Sequence, residues 1–262
     1  MNSLAVSCWA IMPAAGSGQR FAANIPKQYA LLANKPVIEH SLEALLHSNI
    51  FAGIKVVLAQ SDEHFNALAV ANDRRVSTCV GGSSRALSVL NGLLGLSAQA
   101  QPDDWVMVHD AARPLLDSAS IIALYDALKT EPVGGILAIP VNDTLKQSNL
   151  TAVSSEKPSS EVLPKITHTV DRSGIWAAQT PQMFRYQLLV DALTSALNSP
   201  DGNQLNDITD EASALEKAGY GVKLVTGPRS NIKITTADDM ALANCYFSIR
   251  QTVQGKTQKG QV

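Results

Sequence analysis

Cysteine is scarce in this chain, with three in 262 residues: Cys8, Cys79 and Cys245. The number is odd, the spacings are long and no Cys-x-x-Cys pair occurs. That excludes a disulfide framework and a zinc-ribbon pattern, and it suits a reducing cytoplasm. Each cysteine reads as a small buried hydrophobe. Charge of either sign is also lacking in excess: the formal net charge is −2. With no broad basic field to hold a phosphodiester backbone, a polynucleotide is not an expected partner. No apolar run is long enough to span a bilayer, so no membrane is expected either. The opening MNSLAVSCWAIM lacks a basic n-region and runs directly into a glycine loop, so it reads as a first strand rather than a signal segment. No internal repeat and no linker divide the chain. Its length allows one large α/β domain, expected over residues 1–250, with a polar, disordered tail at 251–262.

What is present is concentrated first in AIMPAAGSGQRFAANIPKQY, Ala10 to Tyr29. The apolar run Leu4 to Met12 has the character of a buried strand. It breaks at Pro13 into Ala14, Ala15, Gly16, Ser17 and Gly18, and two cations follow, Arg20 and Lys27. Small residues let a backbone approach a ligand, and glycines allow positive φ, which can turn several N–H groups toward one point. Such a nest with two cations suits a polyphosphate. A tight strand-to-helix turn would use the same glycines for steric reasons alone. The spacing is neither the dinucleotide Gly-x-Gly-x-x-Gly nor a Walker A loop, since no Gly-Lys-Ser/Thr closes it.

The remaining chain alternates strands and helices. Pro36 begins a helix in which Val37, Leu42, Leu45 and Leu46 share a face. Ile54 to Leu58 reads as a strand, Ser61 to Ala71 as a helix capped by its serine, and Val76 to Val80 as a strand. Ser83 or Ser84 caps a leucine-rich helix after Gly81 and Gly82. WVMV, Trp105 to Val108, is a central strand, followed by a helix over Ser118 to Lys129 and a strand over Gly135 to Ile139. Helices are expected at Tyr186 to Ser199, at Asn206 to Gly219 and at Thr236 to Arg250, with a strand at Val222 to Val225. This order predicts an α/β fold: a mostly parallel, twisted sheet with helices on both faces. Between Val141 and Gly174 the composition turns polar and loses any helical period. The extended ends DTLKQ and KITHTVDR flank a Ser/Pro-rich tip, which predicts a protruding hairpin arm rather than a structureless loop.

Ligands of open α/β sheets bind at the carboxyl ends of the strands. The loops expected there are GGSSRALS after Val80 and HDAARP after Val108; three further polar strings stand out, QTPQ within Ile175 to Phe184, ITDEA at a helix start and NIKIT near the end. Each has a purely structural alternative: a βα turn, an internal Asp110–Arg113 ion pair, a turn fixed by Pro181, an N-cap, and a solvated Lys233 opposite Ile232 and Ile234.

Taken in order, PAAGSGQRF, PKQY, GGSSRALS, HDAARP, the NDT and TVDR ends of the arm, ITDEA and NIKIT resemble the GT-A-like, Rossmann-like nucleotidyltransferases. Within them the chain is similar to the cytidylyltransferases of 2-C-methyl-D-erythritol 4-phosphate. The resemblance implies transfer of CMP from CTP to that polyol phosphate, with release of pyrophosphate, in non-mevalonate isoprenoid synthesis. It implies catalytic roles for Arg20, Lys27, Arg172 and Lys233. It places CTP against Pro13, Ala14, Ala15, Gly16, Gly18, Gly82, Ser88 and Asp110, with Arg85 shaping the loop. It places the acceptor against Asp110, Arg113, Thr144, Arg172, Thr180, Thr209 and Lys233. It further implies Mg²⁺ or another divalent cation, carried mostly on the CTP phosphates with Asp110 as a candidate ligand, since Mg²⁺ is commonly held by one or two carboxylates plus substrate phosphates. Finally, it implies a homodimer in which the arm, about 141–174, brings Thr144 and Arg172 to the neighbour's site. The tip, roughly Ser148 to Pro164, is longer than the usual pattern, and no roles carry over to it. A ribitol 5-phosphate cytidylyltransferase shares much of the pattern. A uridylyl- or adenylyltransferase, or a nucleotide-binding regulatory module without catalysis, are the other readings; the last would be expected to lack Arg20 or Lys27. A phosphate monoester nucleophile has a second pKa of about 6, so it is already ionised and needs no general base. Cations that position two anions are then the main requirement.

Overall fold

The computed structural model of the chain describes residues 6–16, 25–149, 163–198 and 208–259, with side chains through 252. In chain order the elements are β1 (Cys8–Pro13), a 3-10 turn at Lys27–Tyr29, β2 (Leu31–Leu32), β3 (Lys35–Pro36), α1 (Val37–Ser48), β4 (Gly53–Leu58) and β5 (Val76–Val80). Then follow α2 (Arg85–Leu94), β6 (Trp105–Val108), α3 (Ser118–Leu128), β7 (Gly134–Pro140), β8 (Lys146–Ser148), β9 (Ile166–Thr169) and β10 (Trp176–Arg185). The chain closes with α4 (Tyr186–Leu197), α5 (Glu211–Lys217), β11 (Lys223–Thr226) and α6 (Ala237–Lys259).

The main sheet has the order β11-β7-β10-β6-β1-β4-β5. All its pairings are parallel except those of β10, which runs antiparallel to both β6 and β7. The exception has a simple origin. The chain leaves the sheet at the end of β7, makes the arm and returns beside the same strand, so β7 and β10 are the base of one long hairpin.

β1 lies inside the sheet, and its continuous apolar run reflects burial on both faces. Cys8, Ala10 and Met12 pack with Ile38, Leu42 and Leu45 of α1 and Ile121 and Leu124 of α3. Trp9 and Ile11 point the other way, against Val89 and Leu93 of α2, Leu189 of α4 and Leu215 of α5. Each fully buried leucine of this kind contributes about 1.5–3 kcal/mol of transfer free energy. These two helix layers fix the strand ends, and the loops at the carboxyl ends of β1, β5 and β6 are brought together.

Several local expectations are corrected. Ser61 to Ala71 is not an α-helix but two 3-10 turns, Phe65–Ala67 and Ala69–Asn72. Leu68 between them is extended, and Asp62 rather than Ser61 accepts from the His64 and Phe65 amides. NIKIT forms no strand, yet Ile234 is fully buried and its amide donates to Ala112 O at 2.8 Å. The turn expected at Pro181 is part of β10, with a cis Thr180–Pro181 bond and a shift in register between Ala178 and Gln182. The last helix continues past Arg250 to Lys259, within the stretch read as a disordered tail. The helix expected from Asn206 starts at Glu211; Asn206 itself lies outside the described residues. It ends as expected, with Gly219 at φ +85, a conformation that costs a side-chain-bearing residue more than glycine.

The arm is present as an antiparallel pair, β8 with β9. Its tip at 150–162 lies outside the described residues. Two short strands alone are marginal in water, and here Ile166 and Leu163 are exposed. No helix among the described residues is long and apolar enough to cross a membrane.

Candidate active site

A cavity of about 410 Å³ opens at the carboxyl ends of β1, β5 and β6. Pro13, Ala14, Ala15 and Gly16 form one wall, and Gly82, Ser84 and Ser88 form the facing one. Lys27, Asp110 and Lys233 line the same space. An adjoining cavity of about 190 Å³ is lined by Arg113, Thr180 and Thr209 and shares Arg85, Asp110 and Lys233 with the first. Most of the residues expected at the CTP and acceptor sites thus line two adjoining cavities that share Arg85, Asp110 and Lys233. Gly18 and Arg20 lie outside the described residues.

The walls are built locally. Ala14 N–H donates to Val57 O at 2.8 Å, continuing the β1–β4 ladder into the loop. The buried Gln28 donates from Nε2 to Ala14 O at 2.9 Å and to Gly16 O at 3.4 Å, holding the small-residue loop from behind. Gly16 does not have the positive φ that the nest reading expected, and nothing lies within 4 Å of the position a Cβ would take. Its contribution is open space. Close approach matters instead at Gly81, where a Cβ would lie 2.6 Å from Ala15 Cβ and 2.8 Å from Ser88 Oγ. Gly81→Ala is thus expected to push the two walls apart, costing about 1–3 kcal/mol of stability and raising the KM of the substrate this cavity binds. Urea unfolding and steady-state kinetics check both. The facing wall is fixed by Ser84, which caps α2 by accepting from Leu87 N–H, and by Ser88 Oγ, which donates to Ser84 O at 2.8 Å and accepts from Gly82 N–H at 3.1 Å.

Asp110 is the electrostatic centre. Its Oδ1 accepts from Arg85 Nη2 at 3.0 Å and Nε at 3.2 Å, and its Oδ2 lies 2.8 Å from Lys233 Nζ and 3.8 Å from Arg113 Nε. Burial alone would raise this carboxyl, but Arg85, Lys233 and Arg113 override it and hold it well below the usual carboxylate range. The internal Asp110–Arg113 pair, the structural alternative for HDAARP, thus exists within the functional cluster. Arg113 is fixed by Nη1 donating to Asn231 O at 2.7 Å. Lys27 Nζ donates to Ile234 O at 3.4 Å, so the loop that carries Lys233 also bears on Lys27.

Asp110 was also the candidate metal ligand. Both of its oxygens are engaged by cations, and among the described residues no three His, Cys, Asp or Glu side chains converge as a metal cage. In this arrangement Asp110 does not fit a metal site. It gathers cations.

Thr180 is buried beneath this cluster. Its Oγ1 accepts from Asp110 N–H at 3.1 Å and lies 3.0 Å from His109 Nδ1, while His109 Nε2 lies 3.2 Å from Arg113 O. One arrangement satisfies every group: the Thr180 hydroxyl donates to Nδ1, and Nε2–H donates to the Arg113 carbonyl. His109 is then neutral. Burial first, opposed by Asp110 and aided by Arg113, pushes its pKa down to about 4. Since the unfolded imidazole titrates near 6.5, the unfolded chain binds more protons between those values and stability falls as pH drops through that window. The full effect is about 3 kcal/mol. His109→Asn, whose amide oxygen can accept from Thr180, should flatten the dependence of unfolding free energy on pH between about 6.5 and 4; urea titrations at several pH values measure it.

The sequence named Thr144 and Arg172 as well, and the single chain does not bring them to either cavity. Both are exposed at the base of the arm, where an Arg172 Nη1–H donates to Asn142 O. Conversely, sequence reasoning missed Gln28, Glu211 and Asn231. Glu211 was read only as an acidic helix start, yet it is fully buried and pairs with Arg85 through both oxygens, at 2.7 and 3.1 Å. Its membership of ITDEA was the available signal. Thr209 lines the smaller cavity, and its amide donates to Ser213 Oγ at 3.2 Å.

Comparison with known proteins agrees with this geometry. The family model described as 2-C-methyl-D-erythritol 4-phosphate cytidylyltransferase matches residues 8–249. A protein of that name from Pseudomonas aeruginosa PAO1 is 46% identical over 233 residues, covering 88% of this chain and 92% of its own length. One from Vibrio vulnificus YJ016 is 43% identical over 239 residues, covering 91% and 94%. Among solved structures, the Francisella tularensis 2-C-methyl-D-erythritol 4-phosphate cytidylyltransferase aligns with a TM-score of 0.72 at 35% identity, covering 91% of this chain and 98% of that one. The sheet order, the paired cavities and the matched length lead to one assignment: this chain belongs to the 2-C-methyl-D-erythritol 4-phosphate cytidylyltransferase family.

Proposed function

We propose that the chain transfers CMP from CTP to 2-C-methyl-D-erythritol 4-phosphate, forming 4-(cytidine 5'-diphospho)-2-C-methyl-D-erythritol and pyrophosphate. The observation that carries this reading is the convergence of Lys27 and Lys233 on one cavity at the carboxyl ends of β1 and β6, joined through Asp110 to a second cavity lined by Arg113. One cavity takes the triphosphate and base, the other the polyol phosphate.

In the reaction an oxygen of the acceptor phosphate attacks the α-phosphorus, and the bond from that phosphorus to the bridging oxygen of the β-phosphate breaks. The electron pair leaves with pyrophosphate. The acceptor is a dianion near neutral pH, so no proton has to be removed. The work is electrostatic: two anions must meet in line while charge shifts to the leaving group. Lys27, together with Arg20, is assigned to the α-phosphate and the leaving oxygen. Lys233, held against Asp110, is assigned to the acceptor phosphate. Gly82 and Ser88 face the base, and Pro13 to Gly16 leave room for the phosphates. A divalent cation such as Mg²⁺, if carried by the triphosphate, would supply neutralisation of its charge; Asp110, held by Arg85 and Lys233, is not assigned to it.

The functional form is a homodimer. The support is the exposed hairpin arm with its exposed Leu163 and Ile166, and the location of Thr144 and Arg172 outside both cavities of their own chain. The arm of one subunit supplies these two side chains to the other. Pyrophosphate release with CTP and Mg²⁺, in parallel with methylerythritol 4-phosphate and ribitol 5-phosphate, tests the reading. Release with methylerythritol 4-phosphate alone is expected. Release with ribitol 5-phosphate alone would keep the mechanism and overturn the acceptor.

A further inference from the structure

We infer that Arg85 is a positioning residue that couples occupancy of the nucleotide cavity to the geometry of the acceptor cavity, through the chain Glu211–Arg85–Asp110–Lys233. The inference rests on the two-substrate reading above and deepens it.

Arg85 lines both cavities. It is the first residue of α2, immediately after Ser83 and Ser84 of the nucleotide wall, and Ser84 caps that helix. Its guanidinium reaches away from this wall to two carboxylates on separate elements. Asp110 follows β6, and Glu211 is the first residue of α5. Burial would lower the Arg85 guanidinium, but Glu211 and Asp110 more than offset this and raise it. Glu211 is itself fully buried. Arg85 is partly exposed, but the two carboxylates it joins are buried, so displacing its guanidinium would leave Glu211 without its cation, and the three groups are held in one arrangement.

The far end of the chain of charges is the acceptor side. Thr209 and Asp210, just before Glu211, line that cavity. Gln182 holds the same turn, donating to Asp210 Oδ2 at 2.8 Å and accepting from Ala212 N–H at 2.9 Å. Asp110 carries Lys233 on its other oxygen. A nucleotide that fixes the wall at Gly82 to Ser84 therefore also fixes Arg85, and with it the first turn of α5 and the seat of Lys233. The ordering cost of the acceptor site is then met before the acceptor arrives, which is positive coupling without direct contact between the ligands. A lysine at position 85 cannot reproduce this, because one ammonium lacks the planar fork that spans two carboxylates.

The experiment uses the full chain, α,β-methylene-CTP with Mg²⁺, and methylerythritol 4-phosphate. In the wild type, calorimetry should show acceptor binding tightened about tenfold or more by the nucleotide, within the usual range of coupling factors. Glu211→Gln and Arg85→Lys should bring that factor close to one and raise the acceptor KM about tenfold; because coupling is reciprocal, the nucleotide Kd measured with acceptor present should rise by the same factor, while in Glu211→Gln the nucleotide Kd measured alone changes little. A merely structural role would lower the melting temperature and leave the coupling factor as it was. Hydrogen exchange on the wild type gives a readout independent of any variant's folding: nucleotide alone should slow exchange in α5, which it does not touch. An unchanged coupling factor in both variants, or unchanged exchange in α5 at nucleotide saturation, would overturn the inference. Absence of pyrophosphate release by the wild type would sink the catalytic reading instead, and the exchange experiment would still report on the coupling.

Discussion

Lys27→Ala lowers kcat by about 10³-fold, the scale on which a preorganised charge at a reacting oxyanion contributes, while the melting temperature moves by no more than a few degrees. Two physical points separate the effects. Lys27 lines the larger cavity and is only half-buried, so its truncation changes a polar cavity wall and opens no hole in the apolar core. Changes of that kind usually cost little stability. In the reaction, by contrast, charge accumulates on the leaving oxygen inside a partly enclosed site, where a fixed cation counts for more than in water. Arg20→Ala is expected to behave alike. Steady-state kinetics with a thermal melt of each variant decides the matter, and turnover within tenfold of the wild type in both would remove these cations from the mechanism.

The second large effect concerns shared sites. Lys27→Ala and Arg172→Ala homodimers should each be nearly inactive. Heterodimers of the two, purified through different tags, should recover about half of the wild-type turnover per dimer, because two-fold symmetry leaves one complete site. That site combines Lys27 from the Arg172→Ala subunit with Arg172 from the Lys27→Ala subunit. If Arg172 instead served its own chain, both sites of the heterodimer would carry a defect and no recovery would occur. The premise is geometric: Arg172 and Thr144 are exposed at the arm and absent from the lining of both cavities.

Much of this was legible in the sequence where local signals and burial agree. The strands Trp105–Val108 and Val76–Val80 were placed at their observed limits, since short apolar or β-branched runs bounded by turn residues leave little choice. The start of α2 was legible to within one residue, because Ser83 or Ser84 can accept from an N3 amide and Ser84 does; the start of α5 was placed too early, at Asn206, and Asp210 is the residue that caps it. Less was legible where a partner distant in sequence decides. β10 is antiparallel because the arm folds back on β7, a matter of topology that no window of residues contains. Asp62 caps the first turn by accepting from two amides, but the extended Leu68 interrupts the segment and leaves two 3-10 turns. Within the site, the loops were recognisable as strings, but the commitments of their side chains were not. Asp110 is surrounded by three cations from three loops, and Glu211 is buried against an arginine 126 positions away. Gln28 was part of a motif and still gave no sign that it braces the loop beside it.

The central claim is direct transfer of the cytidylyl group to a phosphate already ionised. Phosphorus-31 NMR of the purified protein with CTP, Mg²⁺ and methylerythritol 4-phosphate tests it in one tube. The expected result is loss of the triphosphate and monoester signals in equal amounts, with equal appearance of pyrophosphate and a diphosphate diester, and none of this without the acceptor. Cleavage of CTP to CMP and pyrophosphate while the monoester signal stays unchanged would contradict it.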